Sequence, residues 1–423
     1  MARRTATNGP CPRTIGTGLP PLGLNSLTEA GSVTPAPGQV KKPGPGARGA
    51  RIARGYNAWR EDPPRLLPPP RPAERDLSES VLSLLRGEAP AAQASPEEID
   101  RCLRRYECGG YLHAAWSAAR RLDSLPRDWA EGIRRTHRKT VVDNLAALAE
   151  FRRFAGHLAE DKVPFILLKG CAYLLDLYPD PGGRMLTDID LLIRRPDAGR
   201  VARRLAGAGY TGEVGSDFPE NRRFEMWYPG AAHCRFELHW RLGLPTRSDL
   251  DQESIWTHAV PGILEGISCR RLAPEDAVLY HVLHAADHYF GPSLKWTLDL
   301  REMFRKWRLD EGVLLERARA WRCRTALHLA LRQLDKVFPG AAPPRLLGGT
   351  SPGPIRSLLQ RGYLSSDPLS FLTVRGDSPW RYPQRCLLVD RVLDSFLLTL
   401  QVMSRPVSRR LAGPPAPPWE WRD

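Results

Sequence analysis

The chain has 423 residues and carries 62 Lys and Arg against 47 Asp and Glu, a formal charge of +15, with 42% hydrophobic residues. That length admits two domains, or one large domain with extensions, and excludes a small disulfide-stapled module. The eight cysteines (Cys11, Cys102, Cys108, Cys171, Cys234, Cys269, Cys323 and Cys386) include no Cys-x-x-Cys pair, which points to reduced thiols in a cytoplasmic setting and away from a disulfide framework or a Cys-x-x-Cys zinc site.

Residues 1–75 hold 14 of the 40 prolines, in runs such as Pro43-Gly44-Pro45-Gly46 and Pro68-Pro69-Pro70 that build neither helix nor sheet, so a disordered Pro/Arg-rich arm is expected. Twelve Lys and Arg against four Asp and Glu place +8 of the formal charge in this arm. Two readings stay open. The preferred one is Arg-rich coding or an upstream start; the other is a polyanion-binding arm, with nucleic acid or an acidic membrane as partner through counterion release. Met1-Ala2-Arg3-Arg4 is followed by no apolar segment, and no run approaches the ~18–20 apolar residues of a membrane span.

A helical region is expected over 76–162. Leu82, Leu84 and Leu85 begin it, and Ser95-Pro96-Glu97-Glu98 is a helix start with Pro in the first turn, followed by Ile99, Leu103 and Tyr106. Val142, Leu145, Leu148, Phe151, Phe154 and Leu158 continue the apolar repeat.

After Pro164, residues 165–168 read as a buried strand, and Gly170 as a sharp turn into a helix over 171–177 whose N-terminus favours phosphate. In Thr187-Asp188-Ile189-Asp190-Leu191-Leu192-Ile193, strand alternation sends Asp188 and Asp190 to one face and the aliphatic residues to the other. Two adjacent carboxylates repel unless a cation lies between them, and Mg²⁺ fits a few carboxylates plus phosphates and water. A helix over 196–208 ends at Gly209, strands follow over 210–214 and 224–228, and 235–240 alternates so that Glu237 and His239 share the polar face. Glu237 is the candidate third acid of a two-metal site, its ions roughly 3.5–4 Å apart. His239 is either a base toward the acceptor or, as the safer reading, a residue that orients Glu237.

Helices are expected over 277–289, 294–304, 314–334 and 386–400, with breaks over 339–385 and a frayed tail over 411–423. His281, His284 and His288 share a helix face; interior hydrogen bonding is preferred over metal ligation, and a substrate-pocket role stays open. Trp240, Trp296 and Trp307 fall in apolar patterns and are assigned to the core.

Taken together, Leu168-Lys169-Gly170, Tyr178-Pro179, Arg184, Asp188-Ile189-Asp190-Leu191-Leu192, Gly209-Tyr210 and Glu237-Leu238-His239-Trp240 resemble the polymerase β-like nucleotidyltransferase superfamily. Within it they resemble an uncharacterised bacterial family that has Lys-Gly where Gly-Ser is usual; the likeness spans about residues 80–340. It implies an α+β fold with a small mixed sheet: a catalytic core over 163–260 between the helical region over 76–162 and a C-terminal helical region over 261–410. It also implies metal binding (Mg²⁺ or Mn²⁺) at Asp188, Asp190 and Glu237, nucleotide binding at Gly170, Lys169 and Arg184, and an NTP substrate with an unknown acceptor. Cys171, where Ser or Gly is usual, and the long spacing to Asp188 depart from the superfamily pattern. Lys169 reads equally as a phosphate contact or a surface Lys, and Arg184 as a phosphate contact, a partner of Asp180 or Asp188, or both. The competing function is a non-catalytic nucleotide- or nucleic-acid-binding protein on the same fold; the acidic trio favours the enzyme.

Overall fold

A computed structural model describes residues 72–214, 223–229, 234–243, 248–288, 290, 293–354, 356, 357, 360, 388–391 and 394. Residues 1–71 of the expected arm, the tail over 411–423 and most of the helix expected over 386–400 lie outside that set.

Helix α1 (Pro72–Leu85) takes in the last four residues of the expected arm. At α2 (Pro96–Arg105), Ser95 Oγ accepts the Glu98 N–H and the Glu98 carboxylate accepts the Ser95 N–H at 2.9 Å, while Pro96 fills a position that needs no donor. Helices α3 (Gly109–Ala118) and α4 (Arg127–Glu160) follow. The structure splits the expected apolar repeat of α4. Leu148, Phe151, Phe154 and Leu158 are buried, but Val142 and Leu145 are exposed, because the inward stripe before Leu148 runs through Thr136, Thr140 and Asn144.

Strands β1 (Phe165–Leu168), β2 (Ile189–Ile193), β3 (Thr211–Val214), β4 (Arg223–Trp227) and β5 (Phe236–His239) stand where alternation and apolar runs place them. Between β1 and β2, α5 (Lys169–Tyr173) is a single turn where a helix over 171–177 was expected. Past Tyr173 the ladder tightens, with the N–H groups of Leu174 and Leu175 bonding three residues back, to the carbonyls of Cys171 and Ala172. Helix α6 (Ala198–Gly207) runs toward Gly209, whose φ of +89° turns the chain into β3.

After α7 (Gln252–His258), β6 (Val260–Leu264) and β7 (Ile267–Arg271) form a hairpin, so the boundary expected at 261 falls inside a strand. Pro261-Gly262 hides this strand in the sequence; the sheet tolerates it because β6 lies at the edge. Helices α8 (Pro274–Asp287), α9 (Lys295–Lys306), α10 (Glu311–Ala320), α11 (Arg324–Val337) and α12 (Pro344–Thr350) complete the described chain. The helix expected over 314–334 is two, parted at Arg322, where φ is +55°.

The sheet has the order β3-β4-β5-β2-β1-β7-β6, with β2–β5 and β1–β7 parallel and the other pairs antiparallel. Phe154 of α4 stacks on Phe236 at 3.8 Å and Phe151 meets Phe165 edge-on at 6.4 Å, so one face of the sheet carries the core. This is the mixed α+β architecture expected, a sheet core flanked by helices. Among the described residues no helix is long and apolar enough to cross a membrane.

Candidate active site

Strand register assembles the polar face. Leu168 at the end of β1 is opposite Asp190, Asp190 is opposite Glu237, and Leu192 is opposite His239. Side chains opposite one another share a face, so Asp190, Glu237 and His239 converge while Leu191, Phe236 and Leu238 turn to the core. His239 Nε2 lies 3.1 Å from Asp190 Oδ1 and 3.4 Å from Glu237 Oε2. One ligand atom from each of the three lies within 4.8 Å of the other two, and all three residues are buried.

A cation already stands among them. Lys169, directly after β1, puts Nζ 2.7 Å from Asp190 Oδ1 and 3.5 Å from His284 Nδ1. The sharp turn expected at Gly170 falls on Lys169 itself, whose φ of +46° costs about 1–2 kcal/mol in a residue with a Cβ. Burial opposes charge on Lys169, yet Asp190, Tyr280, Glu237 and Asp188 outweigh it and raise its pKa, so the ammonium is firmly charged. His284 responds in the opposite sense: burial and then Lys169 hold it well below its ordinary value, so it faces Lys169 as a neutral acceptor.

Glu237 pairs with Arg223 of β4. Burial would raise its pKa, but Arg223, the hydrogen bond from His239 and Lys169 hold it well below the carboxylate range. Asp188 stands one residue before β2, half-buried, and accepts a hydrogen bond from Thr187 Oγ1 at 3.0 Å. Burial, then Asp190 and Glu237, push its pKa up to about 6 against the pull of Lys169 and Lys295. The tight donor group is therefore Asp190, Glu237 and His239, with Asp188 coupled to it by charge at its margin.

Arg184 takes neither expected acid. Asp299 of α9 binds it as a fork, with Nε 2.9 Å from Oδ1 and Nη2 2.8 Å from Oδ2, Nη1 donates to the Met185 carbonyl, and Tyr178 OH bonds the same carboxylate at 2.9 Å. The ion pair is fully buried. Gly170 serves this anchor, since a Cβ there would collide with the Arg184 guanidinium. Asn144 holds the same turn from the other side: its Nδ2 donates to the carbonyls of Pro181 and Arg184, and its Oδ1 accepts the Leu186 N–H at 3.0 Å. The turn carries the chain into Asp188 and Asp190.

The histidines of α8 divide their work. His281 uses both ring nitrogens on Tyr173 OH and the Trp296 carbonyl, the interior hydrogen bonding preferred for it. His284 faces Lys169, and His288 stacks on Trp296 at 5.2 Å. Among the described residues the three do not converge as metal donors. Arg223, His284 and Asp299 all shape the site; His284 was legible from the helix face it shares with His281 and His288, Arg223 from its place one position ahead of an alternating strand, and Asp299 from no local pattern.

Two carboxylates and an imidazole on rigid strands, with one ammonium between them, form a donor set for a divalent cation. Carboxylates suit Mg²⁺ or Mn²⁺, whereas an imidazole suits softer ions such as Zn²⁺ or Fe²⁺. His239 faces both carboxylates through Nε2, while its Nδ1 is buried without a hydrogen-bond partner among the described residues.

A family described as an uncharacterised nucleotidyltransferase matches residues 92–339, more than half of the chain. No curated protein and no solved structure matches it.

Proposed function

This chain belongs to the uncharacterised nucleotidyltransferase family, and on that premise we propose that it moves a nucleoside monophosphate from an NTP to an acceptor hydroxyl. The acceptor oxygen bonds the α-phosphorus, the bridging bond to the β-phosphate breaks, pyrophosphate leaves, and the hydroxyl proton passes to solvent or a neighbouring base. Asp188, Asp190 and Glu237 would hold Mg²⁺ or Mn²⁺, which when bound would supply positive charge toward the phosphoryl oxygens and the acceptor oxygen.

The protein's own part is placement. Lys169, a point charge on a rigid turn beside Asp190, is the phosphate contact. His239 holds Asp190 and Glu237 in a fixed mutual geometry, and Arg223 keeps Glu237 ionised. Arg184 acts through Asp299, fixing the turn that delivers Asp188, while Gly170 leaves room for it. The carrying observation is the convergence of Asp190, Glu237 and His239 around a lysine ammonium.

The test is incubation with each α-labelled NTP and Mg²⁺ or Mn²⁺, with cell extract separated into small-molecule, RNA and protein fractions as acceptors. Transfer by the native chain and its loss in Asp188→Asn and Glu237→Gln support the proposal. Equal transfer by all three overturns it, and NTP binding without any transfer returns the competing reading of a non-catalytic binder.

A further inference from the structure

A second convergence of metal-competent side chains lies away from the carboxylate group, where the turn after Tyr178 meets α3 and α4. His113 of α3 and His137 of α4 stack with ring centroids 3.7 Å and planes 17° apart. Asp180 reaches them from the turn: Oδ2 is 2.8 Å from His137 Nε2, and Oδ1 accepts the Gly182 N–H at 2.8 Å. One ligand atom from each of the three lies within 4.8 Å of the other two. His113 Nδ1 is buried with no hydrogen-bond partner among the described residues.

We propose that His113, His137 and Asp180 bind a divalent transition-metal ion of the zinc type, at a site separate from the nucleotidyl-transfer centre. Two imidazoles and one carboxylate, with a water as fourth ligand, are a donor set that zinc takes. A tetrahedral zinc with bonds of about 2.0–2.1 Å spaces its ligand atoms about 3.3 Å apart, so the three atoms are near enough to share an ion once the two parallel rings tilt out of their stack to aim their nitrogens at it.

The electrostatics favour a shared cation over two protonated rings. Imidazolium rings stacked at this distance repel, whereas two neutral rings offer their lone pairs to one cation. The nearby cations are already paired, Arg134 with Asp123 and Arg138 with Glu131.

The backbone is shaped for this contact. A Cβ on Gly182 would strike the His137 ring, and one on Gly110 would strike the Gly182 carbonyl, so two glycines let the turn lie directly on both helices. An ion here would clamp α3, α4 and the turn at one point. The turn continues through Arg184, bound to Asp299, to Asp188, so the clamp bears on the placement of the carboxylates without touching them.

The experiment is Co²⁺ titration of the metal-depleted full chain, read by visible d–d absorption. One equivalent is expected to give an intense low-symmetry band that Zn²⁺ displaces. The band should persist in Asp190→Asn/Glu237→Gln and weaken at least tenfold in affinity in both His113→Ala and Asp180→Asn. No band in the native chain, persistence in both of the latter variants, or loss only in the former overturns the proposal. X-ray absorption of the zinc-loaded native chain gives a reading that does not depend on any variant folding: two coordinated imidazoles support this site, whereas one, as His239 alone would supply, or none overturns it.

Discussion

Removing the ammonium of Lys169 probes how the carboxylate site stays intact without metal. Lys169 Nζ and Asp190 Oδ1 are 2.7 Å apart and both side chains are buried, so Lys169→Met strands a carboxylate in the interior. Losing one partner of a buried pair costs about 3–5 kcal/mol, and the His239 contact at 3.1 Å puts this case toward the lower end. A divalent ion should repair the loss, because it replaces the missing positive charge. In the native chain the ion must first dislodge Lys169; in the variant it has no competitor. At a free Mn²⁺ concentration of 100 times the variant's Kd, one site stabilises the variant by about 2.7 kcal/mol, and the deficit shrinks by that amount less the smaller gain of the native chain, whose Lys169 competes with the ion. Urea unfolding of both proteins, in EDTA and in Mn²⁺, measures it. The expected outcome is a deficit of about 3 kcal/mol in EDTA that falls to about 1 kcal/mol or less with Mn²⁺. An equal deficit under both conditions, or none in EDTA, would refute the idea that Lys169 stands in for a metal.

Arg184→Met is expected to destabilise by about 3–5 kcal/mol through the abandoned Asp299 carboxylate, with Arg184→Lys recovering only part of it, since a lysine cannot restore the fork; thermal and urea midpoints report both. Gly170→Ala should cost about 1–3 kcal/mol by pressing on the Arg184 guanidinium, and the cost should nearly vanish in an Arg184→Ala background, as a double-mutant cycle would read. Asp188 has a folded pKa of about 6 against an ordinary 3.8, so the native state holds its proton more tightly than the unfolded chain. Stability of the metal-free protein should therefore fall as pH rises from about 4 to 6, by on the order of 2 kcal/mol, and Asp188→Asn should flatten that slope. A slope unchanged in the variant would assign the titration to another group.

What was legible in the sequence followed from local periodicity. The apolar run of β1 and the alternation in β2 and β5 declare strands, and they separate Asp190, Glu237 and His239 from their aliphatic neighbours. Ser95 and Glu98 declare a helix start in the same local way. What stayed hidden depends on partners far along the chain. Asp299 meets Arg184 across 115 positions, and no spacing in either segment signals it. Lys169 reads equally as a phosphate contact or a surface Lys in the sequence because its entry into the carboxylate group requires a positive φ that only the surrounding structure enforces. The β6–β7 hairpin was missed because Pro261 and Gly262 argue against a strand, and only the edge position excuses them. Val142 and Leu145 carried a helical repeat into solvent, since the inward stripe of α4 at that level is polar.

The central claim is that acids on neighbouring strands hold divalent cations against a triphosphate, and Mn²⁺ electron paramagnetic resonance tests it on the full chain with a non-hydrolysable NTP. Loss of the free-ion signal is predicted for the native protein, strengthened by the nucleotide, with binding weakened at least tenfold in Asp190→Asn and in Glu237→Gln. Mn²⁺ binding that is indifferent to both substitutions, or to the nucleotide, would contradict it.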